Sequence, residues 1–147
     1  MGFSVSGAAA IIFATMFVTF GMWFTASANS FEAISEAETD KGDRVLDAQN
    51  TAISIANVTY DNASSEVTVS VNNTGATQLS VETTDLLVDG QYRSGWEDSA
   101  TVAGTDTRLW LTGEQLTMTV TNASQPDRVK VVTESGVSAT STEVTAV

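Results

Sequence analysis

An uncharged apolar stretch near the N-terminus constrains the fold of this chain more than any other feature. No charged residue occurs before Glu32, and the stretch from Phe3 to Ala28 is dense in Ile, Phe, Val, Met and Ala. At about 1.5 Å per residue this helix is about 39 Å long, more than the roughly 30 Å hydrocarbon core of a bilayer. A signal peptide has a basic start and a shorter apolar run, so we predict an uncleaved transmembrane helix over residues 1–30. Its expected lipid-facing residues are Phe3, Ile11, Ile12, Phe13, Phe17, Phe20, Trp23 and Phe24.

The helical composition continues beyond this stretch. The segment FEAISEAETDKGDRVLDAQN holds many helix formers and no proline. It predicts a helical stalk over residues 31–50, with regular helix to about Leu46. Asp40, Asp43 and Asp47 fall roughly on one helical face, which we interpret as a solvated acidic face rather than a cation site.

The composition excludes several classes of function. The net charge of -12, from 18 acidic and 6 basic residues, opposes nucleic-acid binding and is typical of proteins adapted to high salt. The chain has no cysteine and no histidine, which removes disulfides, thiol nucleophiles, imidazole bases and the common zinc sites. No catalytic constellation occurs either. We therefore predict a protein that is not an enzyme and has no cofactor.

From Thr51 onwards the apolar pattern changes to a period of two. Val67, Val69 and Val71 share one face of a predicted strand, and Asp89-Gly90 is a typical two-residue hairpin turn. A change of phase predicts a bulge near Ala56-Asn57. Short strands separated by turns predict an all-β, immunoglobulin-like sandwich over residues 51–147. The strand candidates are TAISIANVTY, SEVTVSVN, TQLSVET, DLLVDGQY, TRLWLT, QLTMTV and RVKVVTE.

Two groups of side chains in this region resemble ligand sites. Trp96 and Trp110 could stack on a ligand, but we interpret Trp96 as the plug of a loop and Trp110 as packed between Leu109 and Leu111 on one sheet face. An acidic set could gather around loops as a calcium site, but its spacing matches no EF-hand loop. This set is Asp85, Asp89, Glu97, Asp98 and Asp106.

Four N-glycosylation sequons indicate which side of a membrane the strand region occupies. All four lie in the predicted strand domain, and three of them adjoin turns, where a glycan fits. They favour an external strand domain and an internal N-terminus. The candidate sites are Asn57, Asn62, Asn72 and Asn122.

Taken together, these segments resemble the archaellum stator proteins of the FlaF (ArlF) type, in a haloarchaeal version. The resemblance covers nearly the whole chain and rests on the order of its segments. They are MGFSVSGAAAIIF, SANSFEAISEA, LDAQNTAISI, VSVNNTG, TDLLVDGQY, TRLWLTGEQLT and QPDRVKVVTESGVSAT.

The resemblance implies a single-pass membrane anchor with an immunoglobulin-like domain in the pseudo-periplasmic space. It implies that the protein binds the surface-layer protein and acts together with a FlaG-type stator protein. The motor and filament components of the archaellum are further implied partners. The binding surface is expected on a sheet face or an exposed edge, with Leu86, Val88 and Tyr92 as candidates, unless these three residues complete the core.

Three alternatives remain open at this point. The chain could be a FlaG-type sister subunit, which shares the anchor and the sandwich. It could be a pilin-like or archaellin-like filament subunit, although the basic leader and the glutamate typical of pilin processing are missing around Gly2-Phe3. It could also be an extracellular glycan-binding or enzymatic domain built on carboxylates.

Overall fold

The computed structural model describes residues 2–147, with side chains described from Val5 onwards. One long helix, α1 (Gly2–Asn50), is followed by a region of strands that also contains a short 3-10 turn, Glu97–Ser99. The strands are β1 (Ile53–Asp61), β2 (Glu66–Asn73), β3 (Leu79–Ser80), β4 (Asp85–Val88), β5 (Gln91–Arg93), β6 (Thr101–Val102), β7 (Leu109–Trp110), β8 (Gln115–Thr121), β9 (Val129–Val132), β10 (Ser138–Ser141) and β11 (Thr145–Ala146).

Helix α1 has no proline, and its threonine hydroxyl groups donate to carbonyls of the same helix. The Thr15 hydroxyl donates to the Ile12 carbonyl at 2.9 Å, and the Thr25 hydroxyl donates to the Gly21 carbonyl at 2.9 Å. These back-bonds let polar side chains sit in an apolar helix without unpaired groups. The helix is long and apolar enough to cross a membrane.

The helix ends four residues later than the sequence predicts, because the strand region caps it. Both the amide and the hydroxyl of Thr51 donate to the Asp47 carbonyl, at 2.9 and 2.7 Å. The Asn50 carbonyl then accepts the amides of Ala76 and Thr77, at 2.8 and 3.2 Å. Carbonyls at a helix C-terminus lack partners within the helix, and these contacts supply them.

The chain divides into two units, one ending at Asp43 and one spanning Arg44–Val147. The last seven helical residues thus belong to the strand unit. Helix α1 has no break near residue 30, so the expected boundary between membrane helix and stalk is not marked by a change of secondary structure.

The strand unit is a sandwich of two main sheets. The five-stranded sheet has the order β11-β1-β2-β8-β6, and the four-stranded sheet has the order β10-β9-β4-β5. Without β11, these orders correspond to the A-B-E-D and G-F-C-C′ sheets of immunoglobulin domains. The predicted immunoglobulin-like fold is confirmed. A third, two-stranded ladder pairs β3 with β7.

The core lies between the two main sheets and follows the period-two pattern. Val67, Val69 and Val71 of β2 are fully buried, and Thr68 and Ser70 between them face outward. The other sheet contributes Leu86 and Val88 of β4 together with Val129 and Val131 of β9.

Two local features of the backbone agree with the sequence. The register between β1 and β2 shifts between Ile55 and Asn57, which confirms the predicted bulge. At the β4–β5 turn, Asp89 and Gly90 have φ values of 52° and 81°, and Val88 pairs with Gln91. Positive φ at both central residues is the signature of a type I′ hairpin turn.

Both tryptophans of the strand unit are core residues, as the packing interpretation expects. Trp96 donates its indole N–H to the Arg93 carbonyl at 3.0 Å, and Trp110 donates to the Glu114 carbonyl at 2.9 Å. Each ring is fully buried, so neither can stack on a ligand. The expectation that Trp110 shares a sheet face with Leu109 and Leu111 is wrong, because consecutive strand residues point to opposite faces and both leucines are exposed.

The alternation in β4 generates a first prediction. Leu86→Ala is expected to lower the free energy of unfolding by about 2–5 kcal/mol, because it leaves a cavity in the core. Leu87→Ala, one residue along, is expected to cost less than about 1 kcal/mol, because Leu87 lies on the outer face. Denaturant unfolding of the full chain in detergent, followed by tryptophan fluorescence, measures both. Equal losses would contradict the register of β4.

The helix cap generates a second prediction. A Cβ atom on Gly75 would lie 2.4 Å from the Ala52 nitrogen and 2.5 Å from the Asn50 oxygen. Both are backbone atoms that cannot move aside easily, so Gly75→Ala is expected to cost about 1–3 kcal/mol. Gly42→Ala is the matched control, since a Cβ atom there meets nothing within 4 Å. Thermal unfolding of the strand unit should shift for Gly75→Ala alone, and an unchanged midpoint would disprove the close approach.

Candidate interaction surface

The outer face of the four-stranded sheet, called here the four-stranded face, carries one exposed aromatic side chain and two half-buried aliphatic ones. Pairing across the strands places Tyr92, Leu87, Lys130 and Thr140 in one row. Tyr92 is 59% exposed, and Leu87 and Lys130 are half-buried. The row combines an aromatic ring, an aliphatic side chain and a cation whose stem can cover apolar surface.

A second row on the same face continues this surface. Val132 pairs with Asp85 of β4 and with Ser138 of β10, and it is half-buried. Val132 therefore extends the apolar part of the face by one residue. Exposed aromatic and aliphatic side chains beside a cation are typical of protein-binding surfaces.

The outer face of the five-stranded sheet has a different chemistry. Thr68 and Ser70 of β2 lie opposite Thr119 and Thr117 of β8. The hydroxyls of Thr68 and Thr119 are 3.4 Å apart, within hydrogen-bond distance. This face presents hydroxyl groups rather than large apolar side chains. The two outer faces thus differ, and the four-stranded face is the better candidate for a protein partner.

Two of the three partner-binding candidates from the sequence are wrong. Leu86 and Val88 are 0% exposed and form part of the core, so they cannot contact a partner of the folded domain. The pleat of β4 turns Leu87 outward instead, because successive strand residues alternate in direction. The third candidate, Tyr92, lies on the surface. Counting the alternation back from the turn at Asp89-Gly90 separates Leu87 from Leu86 and Val88, but it does not show which of the two faces points inward.

Tyr92 also lies at the rim of its sheet. Strand β5 is the last strand on its side of the four-stranded sheet, so one of its edges is unpaired within the described residues. An unpaired edge can accept a strand from another chain. The face and the edge that the sequence analysis treated as alternatives therefore meet at Tyr92.

The four sequons occupy different environments. Asn57, at the β1 bulge, and Asn62, in the β1–β2 turn, are exposed. Asn72 is half-buried and its Oδ1 accepts a hydrogen bond from Gln115 at 3.1 Å. Asn122 is only 8% exposed, and its Nδ2, the atom a glycan would modify, donates to the Ser124 carbonyl at 2.7 Å.

The acidic residues suspected of binding a cation are not brought together. Within the described residues, no group of three or more acidic side chains is placed to hold a metal ion, on either the helix or the loops. Two of these carboxylates accept hydrogen bonds from backbone amides instead. Asp89 accepts the amides of Asp127 and Arg128 at 2.9 and 3.0 Å, and Glu97 accepts the amide of Gly95 at 2.6 Å.

Asp61 is a further carboxylate that supports a turn. The amide of Ala63 donates to its Oδ1 at 2.7 Å, and this hydrogen bond, with weaker ones from Ser64, holds the pKa of the carboxyl below its ordinary value. The carboxylate therefore stabilises the β1–β2 turn at neutral pH. That contribution is lost as the pH falls below about 4 and through the pKa of the folded state.

A cavity of about 420 Å³ lies near the end of α1, within the strand unit. Its walls include Arg44, Thr51, Thr84, Thr133 and Glu134. The three threonine hydroxyls already donate to nearby carbonyls, as in the bond from Thr84 to Ser80 at 2.8 Å. These hydroxyl groups stabilise the local backbone and are not free to donate to a ligand.

The expected lipid-facing residues lie along α1. From Ile11 to Phe24 they are exposed on the chain taken alone, and the rings of Phe20 and Trp23 lie 6.0 Å apart. Phe3 lies in the helix but outside the residues whose side chains are described. Apolar side chains on every side of a helix need a cover of lipid or protein.

No protein-family model and no curated protein matches the chain. Among solved structures it is similar to the archaellum periplasmic stator protein FlaG from Sulfolobus acidocaldarius, at 19% identity and a TM-score of 0.45, over 62% of this chain and 97% of that one. It is also similar to the FlaF and FlaG stator complex of the same organism, at 19% identity and 0.43, over 60% and 85%. A third similarity, at 14% identity and 0.38 over 67% and 97%, is to the ligand-binding region of serine-glutamate repeat protein A of Enterococcus faecium. At these identities and TM-scores, the similarities assign no role to this chain.

The sequon environments generate a third prediction. In an archaeal host that attaches N-glycans, glycopeptide mass spectrometry should find glycans on Asn57 and Asn62, which are exposed, and none on Asn122. Modification of Asn122 would break the hydrogen bonds of a buried amide, and each unmet group would cost about 1–3 kcal/mol. A glycan on Asn122 in the folded protein would contradict the described environment.

Proposed function

We propose that this chain is a stator component of the archaellum, of the FlaF type, anchored in the membrane by α1 and bound to the surface-layer protein through its sandwich. The observation that carries the proposal is the four-stranded face, where Tyr92 is exposed and Leu87 and Val132 are half-buried, beside Lys130. The resemblance of the sequence segments to that family supplies the identity of the partner.

The properties of α1 support its role as an anchor. Its apolar side chains are exposed on all sides, and its threonine hydroxyls donate to carbonyls of the same helix. In the bilayer core every polar group must be satisfied internally, and these back-bonds do so. The chain is then a single-pass membrane protein with the sandwich in the pseudo-periplasmic space, as the sequons favour.

The acidic composition favours a packed interface over an electrostatic one. In molar salt the Debye length falls to about 3 Å, so charges beyond direct contact are screened. Apolar side chains such as Tyr92 and Leu87 lose nothing to this screening, and exclusion of kosmotropic salts strengthens their burial. We infer that binding to the surface-layer protein persists in high salt.

A stationary motor element requires no chemistry. It must be tied to the membrane and to the cell wall so that the filament turns against a fixed point. The helix and the sandwich supply these two attachments, and a FlaG-type protein is the expected companion. We propose no enzymatic activity and no cofactor.

The fourth prediction tests the four-stranded face. The double variant Tyr92→Ser/Leu87→Ser is expected to weaken binding of the full chain to purified surface-layer protein by more than about tenfold, because it removes the aromatic and aliphatic contacts. The matched control is Leu109→Ser/Leu111→Ser, which removes two exposed leucines elsewhere on the sandwich. Biolayer interferometry in multimolar salt, with the protein in detergent, measures both affinities.

Two results would overturn the proposal. One is wild-type chain that shows no affinity for the surface-layer protein at any salt concentration. The other is recovery of the native chain as a stoichiometric component of sheared filaments, which would identify a filament subunit. Weakening by the control but not by the Tyr92→Ser/Leu87→Ser variant would move the binding surface to the region around Leu109.

A further inference from the structure

A cavity of about 470 Å³ lies beside the β4–β5 turn and the C-terminal end of β8. It belongs entirely to the strand unit and is separate from the four-stranded face. Its volume is in the range of small-ligand sites. The polar side chains of its lining that matter here are Arg93, Asn122, Ser65, Gln91, Thr121 and Ser124.

The position of Arg93 is unusual for a cation. It lies opposite Leu86 across the β5–β4 pair, so its side chain is on the inward side of the sheet, at the edge of the core. Its Nη2 donates to Asn122 Oδ1 at 2.6 Å, while its Nε is buried without a hydrogen-bond partner. Among the residues with described side chains, no carboxylate forms an ion pair with Arg93.

The partner of Arg93 is neutral and rigidly held. Asn122 also donates through Nδ2 to the Ser124 carbonyl at 2.7 Å. The main-chain carbonyl of Asn122 accepts a hydrogen bond from the Tyr60 hydroxyl at 3.3 Å. The guanidinium group is therefore oriented by a fixed amide that does not neutralise its charge. A partly buried charge without a counter-ion is costly, so compensation from outside the chain is favourable.

The carboxylate in the lining, Asp89, does not fill this role. Asp89 accepts the amides of Asp127 and Arg128 through Oδ1 and so fixes the β4–β5 turn. The chain has 18 acidic residues, yet none is paired with Arg93. This absence, within the described part of the chain, contrasts with the abundance of carboxylates available to it.

The hydroxyl groups of the lining are also available. Within the described residues, the side chains of Ser65, Thr121 and Ser124 form no hydrogen bonds. The cavity near the end of α1 differs in this respect, because its threonine hydroxyls are already used. A ligand in the Arg93 cavity would therefore meet one unpaired cation surrounded by free hydroxyl groups.

From these contacts we propose that the Arg93 cavity binds a hexuronate, a sugar that carries a carboxylate. The carboxylate would pair with the guanidinium of Arg93, since charge-assisted hydrogen bonds of this kind are strong and specific. The sugar hydroxyls would bond to Ser65, Thr121 and Ser124. The singly charged carboxylate suits a site that Asp89 also lines better than a doubly charged phosphate does. This inference does not depend on the stator role.

The fifth prediction tests this site by titration calorimetry of the full chain in detergent, with glucuronate as the probe. Glucuronate is expected to bind, while glucose and the methyl ester of glucuronate, which lack the charge, are expected to bind more than about tenfold more weakly. Arg93→Gln should cause a similar loss. Lys41→Gln removes an exposed cation from helix α1, outside both proposed binding surfaces, and is expected to leave the affinity within about twofold.

The ligand series needs no variant, so it decides the question even if Arg93→Gln does not fold. Equal binding of glucose and glucuronate, or no binding of glucuronate, would overturn the proposal. So would an acidic tetrapeptide that binds more tightly than glucuronate, because the site would then recognise a protein carboxylate. A disaccharide ending in glucuronate that binds at least as tightly as the free sugar acid supports a glycan source, and weaker binding supports the free sugar acid.

Discussion

Burial of alternate apolar side chains between two sheets is the interaction on which the strand unit depends. The chain has no cysteine, so no disulfide constrains its unfolded state. The valines of β2 meet Leu86 and Val88 of β4 across the core, and Trp96 and Trp110 fill the larger spaces. Because the side-chain period of a strand is two, the same burial fixes which residues face outward, and hence what each outer face can bind.

The two outer faces show how a strongly acidic chain can still carry a partly apolar surface. On the four-stranded face the outward positions of β4, β5 and β9 include Leu87, Tyr92 and Lys130. On the five-stranded sheet the central outward positions of β2 and β8 are the hydroxyl residues Thr68, Ser70, Thr117 and Thr119. The same sandwich thus has one outer face suited to close packing against a protein and one polar outer face suited to hydration. This asymmetry arises from residue choice at alternate positions, without any change of fold.

Much of the fold could be predicted because local rules govern it. The period of two located β2, the change of phase located the bulge, and Asp89-Gly90 located the hairpin turn. The site was harder, because a fully apolar run such as LLV does not show which of its residues faces inward. Leu86 and Leu87 are chemically identical, and only the pairing of β4 between β5 and β9 distinguishes them. The environment of Arg93 was missed because its partner, Asn122, is distant in the sequence and marked as a sequon.

The attachment of the Asn50 carbonyl to the amides of Ala76 and Thr77 has a mechanical consequence. A pull along the last turn of the helix is transmitted to the β2–β3 loop through main-chain bonds, not through exposed ion pairs. Main-chain bonds of this kind bear shear without depending on ionic strength or on the rotamers of long side chains. The backbone at Gly75 lies close enough to residues 50–52 to limit slippage at this joint. A load on the end of the helix is therefore met by main-chain hydrogen bonds and close backbone packing rather than by side chains.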